Sequence, residues 1–244
     1  MSSIEWLDSC ASTNSVLAGR ADAPAGLVIA TREQTAGRGQ RGNTWEAEPG
    51  ANLTFSLLLR PAAIPAARQF ELSMIVSLAI VDTVDAVLED AGCPLRAEIK
   101  WPNDIYVADR KICGILIENT LTGRSLDRSI VGIGLNVNQT VFLSDAPNPA
   151  SLCGFTGRAY MLEPLLERLS DAILKSMSAY DAAPDPDALT SRYMSRLWRR
   201  SGVWPFVTPG GERFEASIEH VGADGMLTLS GDCTFAFKEV AFVL

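Results

Sequence analysis

Residues 36–59 read AGRGQRGNTWEAEPGANLTFSLLL, and the fold turns on which element comes after their glycines. Gly37, Gly39 and Gly42 stand at the G-x-G-x-x-G spacing of a dinucleotide-binding loop, with Arg38 and Arg41 between them. That spacing serves a nucleotide fold only where a strand enters the loop and a helix leaves it, offering its N-terminus to a pyrophosphate. The entering strand is present, because GLVIATRE (26–33) is β-branched and apolar and comes after a Pro/Ala/Gly turn. The helix is not. Pro49-Gly50 makes a turn, and Leu53, Phe55 and Leu57 then alternate with Asn52, Thr54 and Ser56 at the period of a strand. The loop therefore joins two strands. An anion held there meets glycine N–H groups and arginine side chains, and a solvated Gly/Arg turn is the other reading.

At 244 residues the chain suits one large domain, alone or with a small companion. Its 29 acidic and 21 basic residues give a net charge of −8, which argues against a large nucleic-acid-binding face and leaves room for a local basic pocket. Five scattered cysteines without a C-x-x-C pair exclude a zinc spacing and make a disulfide framework unexpected. Cys113 sits in an apolar run and reads as a buried thiol. The first residues do not form a signal peptide and no apolar run reaches membrane-spanning length, so a reduced cytoplasm is expected. A Ser-His-Asp or Cys-His mechanism would depend on the one histidine, His220, which lies in a strand-like segment and reads as a surface residue.

Ser12-Thr13-Asn14 opens a short helical stretch that Ser or Thr is able to cap. Residues 66–91 carry Phe70, Met74, Ile75, Leu78, Val81 and Val84 at helical spacing, ended by Gly92. AEIKW (97–101), DIYV (104–107) and KICGILIEN (111–119) read as strands, the last two joined as a hairpin at Ala108-Asp109-Arg110. SIVGIGLNVN (129–138) is a further strand, with a loop to about 150 and amphipathic helices at 161–180 and 187–200. From 202 onward short strands alternate with Gly/Pro turns, the texture of a small β module that needs to dock.

Four segments set polar groups where strands are ordinarily bland. Ser12, Thr13, Asn14 and Gln34 are neutral donors and acceptors, while Arg38 and Arg41 are cations on bare backbone. KWPND (100–104) places a lysine, an amide and a carboxylate around a proline, and Lys111 precedes an apolar run whose Gly114 permits close approach. Asn136 and Asn138 end a strand two residues apart and so face one side. Taken singly, Asn103-Asp104 also reads as a turn device, Lys111 as an edge lysine and the asparagines as strand-end caps.

Taken together, STN, QTAGRGQRGNTW, GANLTFSLLL, KWPNDIYVADRKICGIL and GIGLNVN resemble the biotin protein ligase family in its order and spacing, over about residues 5–155. The resemblance implies an α+β fold: a mixed β-sheet flanked by helices in a catalytic domain at 1–201, with a small SH3-like β-barrel at 202–244. It implies ATP-dependent adenylation of biotin to biotinyl-5'-AMP, then transfer to a lysine of a biotin carboxyl carrier protein. Lys111, Arg38 and Arg41 are the implied catalytic cations. Ser12, Thr13, Asn14 and Gln34 are implied to meet biotin, together with Arg38, Gly39, Gln40, Lys111 and Gly114, above an apolar floor that includes Ile115 and Leu116. Trp45, Asn103, Asp104, Lys111, Asn136 and Asn138 are implied for ATP, and Asp104 for Mg²⁺. The catalytic motifs begin within the first fifteen residues, so the short, monofunctional type without a DNA-binding domain is expected, a monomer or weak homodimer that engages neither nucleic acid nor membrane. Gln40 and Asn43 stand where the family commonly has arginine, leaving Arg41 as the candidate second clamp on the intermediate. A lipoate or octanoate ligase or transferase, and a non-catalytic biotin or nucleotide sensor, are the alternatives.

Overall fold

A computed structural model describes residues 3–143 and 147–243, with the side chain of Arg41 outside the described set. Its centre is a seven-stranded mixed sheet in the order β1-β2-β3-β7-β6-β5-β4. The strands are β1 (Ser3–Cys10), β2 (Leu27–Gln34), β3 (Leu53–Leu59), β4 (Ala97–Lys100), β5 (Asp104–Val107), β6 (Arg110–Thr122) and β7 (Ser125–Leu135). Only β1, on the edge, runs parallel to its neighbour. The β5–β6 turn is built from Ala108 and Asp109, both at positive φ, the conformation that a tight two-residue hairpin demands.

The alternation expected for β3 is present in its chemistry, but every residue of the strand is buried. Both faces of the sheet are covered. Leu53, Phe55, Leu57 and Leu59 join the main core beneath α2 (Phe70–Asp90) and α4 (Leu162–Ala182). On the other face Leu58 packs with Leu17 of α1 (Thr13–Ala18), while Thr54 and Ser56 are buried polar residues, Ser56 completely so. Helix α2 is enclosed almost all round, since α4, α5 (Pro186–Ser195) and the C-terminal module add to the sheet. Its Asp85 accepts from the Ala97 N–H and from Arg196, the kind of pairing that makes a buried carboxylate tolerable. A short helix, α3 (Leu152–Thr156), lies just past the loop that the sequence places up to about 150, capped by the Ser151 side chain at the Gly154 N–H.

The C-terminal segment forms two three-stranded antiparallel sheets, consistent with the expected small SH3-like β module. One is β10-β11-β12 (Ile218–Val221, Leu227–Leu229, Cys233–Phe235), and the other is β13-β8-β9 (Ala241–Phe242, Trp204–Val207, Arg213–Ala216). Its apolar residues Phe206, Ile218, Val221, Leu227 and Leu229 belong to the same continuous core as the central sheet. The expected need to dock is met by Trp101, whose Nε1–H donates to the Gly225 carbonyl at 3.0 Å and whose ring meets Phe237 edge-on at 6.1 Å.

Candidate active site

One cavity lies on the α1 face of the central sheet, across β3, β7, β6, β5 and β4, and encloses about 790 Å³ of empty space including its open mouth. Its floor is bare backbone. A Cβ at Gly132 would stand 2.3 Å from the Asn14 Oδ1, and one at Gly134 would stand 2.2 Å from the Trp45 ring. No side chain fits at either position, so glycine is required there by close approach. The Trp45 indole, from the loop after β2, thus lies flat against β7 and also touches the Gly114 position of β6.

At the β3 end the polar groups are neutral and tied to one another. The Ser12 hydroxyl makes no cap to α1, correcting the capping expectation, and instead lies buried on the cavity wall. Gln34 Oε1 accepts from the Thr13 N–H at 2.9 Å. Ser56 Oγ lies 2.7 Å from Thr13 Oγ1 and donates to Asn14 Oδ1 at 2.5 Å. Asn14 Nδ2 then donates to Glu118 Oε2 at 2.6 Å, and Arg38 pairs with that same oxygen at 3.1 Å. A chain of hydrogen bonds therefore runs from Gln34 to Arg38 and fixes which face each amide presents.

The loop carrying Arg38 closes on itself. Gly39 N–H donates to the Asn43 carbonyl at 2.7 Å and Trp45 N–H to the Gly37 carbonyl at 3.1 Å. The Gly39 N–H is therefore engaged inside the loop, which leaves the Arg38 guanidinium rather than this amide as the donor that the described part of the loop could offer an anion. Gly39 and Gln40 border the cavity. The Arg41 side chain, expected as the second clamp, lies outside the described residues.

At the other end the groups are charged. Lys111 donates to Asp104 at 2.7 Å, both side chains about a quarter exposed, and its ammonium sits 5.9 Å from the centre of the Trp45 ring. Asn103 lines the wall and donates its amide to the Ile115 carbonyl, while Ile115 and Leu116 supply apolar lining. The Trp101–Pro102 peptide is cis. Phe237 of the C-terminal module completes this wall.

Two of the expected ATP residues are not brought here. Asn136 is buried and donates to the Ala150 carbonyl at 3.0 Å. Asn138 makes a reciprocal pair with the main chain of Tyr160, at 2.8 and 2.9 Å. Both lie beyond the end of β7, where the alternation that placed them on one face no longer holds, and both tie loops to the sheet. Reading the sequence also missed lining residues. Thr54 carried a signal, as a polar side chain on a strand closed on both faces, and Lys100 lay within the KWPND motif. Phe237, distant in sequence and apolar, carried none.

Among the described residues no group of three His, Cys, Asp or Glu side chains could hold a metal, and no helix is long and apolar enough to cross a membrane. Asp104 is the sole carboxylate among the lining residues. A Mg²⁺ ion is typically bound by one or two carboxylates with the rest of its shell from phosphates and water, so Asp104 fits as a partial ligand and only alongside an anionic substrate.

Residues 6–136 match the model of the Biotin/lipoate A/B protein ligase family. The chain is 34% identical over 173 residues to the biotin--[acetyl-CoA-carboxylase] ligase of Paracoccus denitrificans, covering 67% of this chain and 69% of that one. It is 37% identical over 118 residues to the bifunctional ligase/repressor BirA of Bacillus subtilis, covering 48% of this chain but about a third, 34%, of that protein's length. The biotin protein ligase of Aquifex aeolicus, solved with biotin and ATP, superposes with a TM-score of 0.78 at 21% identity over 99% of this chain and 98% of that one. Sequence identity over the half of the chain that builds the cavity, and the same fold throughout, lead to one conclusion: the chain belongs to the Biotin/lipoate A/B protein ligase family.

Proposed function

We propose that this protein adenylates biotin with ATP and transfers the biotinyl group to a lysine of a biotin carboxyl carrier protein, in the cytoplasm. The observation that carries this reading is the division of one cavity into a neutral, hydrogen-bonded end and a cationic end. Biotin's ring is an uncharged urea with donors and acceptors, matching Thr13, Asn14 and Gln34, whereas a lipoyl ring offers no such groups. With the ring there, its carboxylate would be directed along the floor toward Lys111, which lines the same cavity.

Two anions must meet for the first step, the carboxylate and the α-phosphate of ATP. In this reading one ammonium, that of Lys111 beside Asp104, serves both, and Arg38 adds a guanidinium that would exchange Glu118 for the ligand. Preorganised charges of this kind are the main catalytic device in phosphoryl-type transfer. Bound Mg²⁺ would neutralise phosphate charge beside Asp104. Lys111 acts through its charge and forms no covalent bond, so the second step needs only an acceptor lysine arriving at the open mouth. We further propose that 202–244 serves the ATP end, since Phe237 and Trp101 pack together there.

Incubation with ATP, Mg²⁺, biotin and a carrier domain, read by streptavidin blot, should label the carrier. Equal or better use of lipoate in the same assay would overturn the choice of substrate.

A further inference from the structure

Lys100 has no assigned task, yet its setting is unusual. It lies directly opposite Asp104 across the β4–β5 pair, and Tyr106 lies opposite Lys111 across β5–β6. Cross-strand partners share a face, so both lysines and the one carboxylate lie on the cavity side of the sheet. Asp104 is taken by Lys111. Lys100 forms no ion pair among the described residues; its ammonium rests instead over the Tyr106 ring at 5.2 Å and the Phe242 ring of the C-terminal module at 5.6 Å. Burial pushes its pKa down, against the opposing pull of Asp104. Aromatic faces attract a cation but carry no net charge, so this end of the cavity holds two ammonium groups against one carboxylate, in a chain of net charge −8. The set is electrostatically incomplete until an anion enters.

Sheet order says which anion. The neutral cluster sits over β3, Lys111 on β6 and Lys100 on β4. Strands are spaced about 4.8 Å apart, so the Lys100 backbone lies roughly two strand spacings, on the order of 10 Å, beyond that of Lys111 as measured away from the neutral end, with the Lys111 ammonium reaching Asp104 on the strand between them. If carboxylate and α-phosphate meet at Lys111, the rest of the triphosphate extends over β5 and β4.

We propose that Lys100 receives the diphosphate group of ATP that leaves in the adenylation step, held in place by Phe242 and Tyr106. This rests on the ligase reading above. In that step a carboxylate oxygen forms a bond to the α-phosphorus, and the bond from that phosphorus to the oxygen bridging to the β-phosphate breaks. The electron pair stays with the departing diphosphate and no proton moves. Negative charge therefore grows at the Lys100 end as the bond breaks.

The test uses the full chain. Biotin-dependent exchange of labelled diphosphate into ATP is measured for the parent, Lys100→Met and Lys100→Arg, together with transfer from preformed biotinyl-5'-AMP to a carrier domain. A parent without biotin-dependent exchange would defeat the ligase reading itself. Given exchange, Lys100→Met should raise the KM for diphosphate by about tenfold or more, the scale of a lost charged hydrogen bond. The biotin KM and transfer from the preformed adenylate should stay within about threefold, and Lys100→Arg should restore most of the loss. A parental diphosphate KM in Lys100→Met, or equal losses in exchange and transfer, overturns the proposal. Should Lys100→Met not fold, the parent decides: inorganic diphosphate with Mg²⁺ should shield Lys100 from acetic anhydride, read by peptide mass, and labelling unaffected by diphosphate overturns it equally.

Discussion

At the β3 end of the cavity Thr13, Asn14 and Ser56 are locked by side-chain hydrogen bonds of 2.5 to 2.7 Å, two of them fully buried. At the β4–β6 end the polar groups are held by strand register and aromatic faces, and their charges do not balance. The first end is complete without a ligand and so recognises by shape and donor pattern. Leaving one of its partners unmatched costs the desolvation of a buried group. The second end is cationic without a ligand and so recognises by charge. In the proposed reaction, specificity and chemistry thereby fall to different physical devices on one sheet.

The largest test of that contrast is Lys111→Ala. Adenylation measured by diphosphate exchange should fall by about 10²–10³, as when other preformed transition-state donors are removed. Biotin affinity should fall far less than exchange, because the ring contacts of the neutral end remain, and circular dichroism should show the parental fold. A folded variant with near-parental exchange would remove Lys111 from the chemistry.

Ser56→Ala probes the opposite end. It leaves Asn14 Oδ1 without its donor and Thr13 Oγ1 with only its longer bond to Gln34 Oε1, which should lower unfolding free energy by about 1–3 kcal/mol. Biotin affinity by calorimetry should weaken by about tenfold, whereas the ATP KM should hold. Movement of both constants together would mean that the two ends are not separate devices.

Phe237→Ala should act more mildly and in the reverse sense. It removes an edge contact to Trp101 and part of the cavity wall. The ATP KM should rise several-fold while the biotin KM stays; a larger shift in biotin would place the C-terminal module at the wrong end.

The smallest effect is alkaline. Burial raises the pKa of Cys113 and of Tyr106, with Asp104 pushing each further the same way. A raised folded-state pKa stabilises fully below the unfolded value and is lost as pH climbs from that value toward the folded one. Unfolding free energy, and with it the melting temperature, should therefore decline above the free-thiol value of 9.0 for Cys113 and above the free-phenol value of 10.0 for Tyr106, the free energy by up to about 1.4 kcal/mol per pH unit for each group. Cys113→Ala should flatten the first part of that decline, and an unchanged slope would assign it to other residues.

Much of this organisation is legible in the sequence because it rests on local rules. The strand after Pro49-Gly50 excludes a Rossmann loop, and period two locates β3, the β5–β6 hairpin and β7. Residues from distant motifs, Asn14, Gln34, Asp104, Lys111 and Gly114, do meet in one cavity. What fails is long-range or depends on an element's end. Asn136 and Asn138 keep their alternation only while the strand lasts, and β1, a parallel edge strand, has no hairpin signal to announce it. Texture announces the short strands of the C-terminal module, but not that they pair as β10-β11-β12 and β13-β8-β9. Phe237 reaches the site only because the module folds back across KWPN, a contact that no spacing encodes.

That return contact joins the C-terminal residues to the same apolar cluster as the catalytic sheet. A linker-tethered module can melt, exchange amide hydrogens or be clipped by proteases independently of its neighbour. One that shares a core cannot, since separating it exposes Phe206, Leu227 and their sheet-side partners to water at once. The chain should therefore denature in a single calorimetric transition whose van't Hoff and measured enthalpies agree, with slowly exchanging amides in β11 released by the same global opening as those in β7.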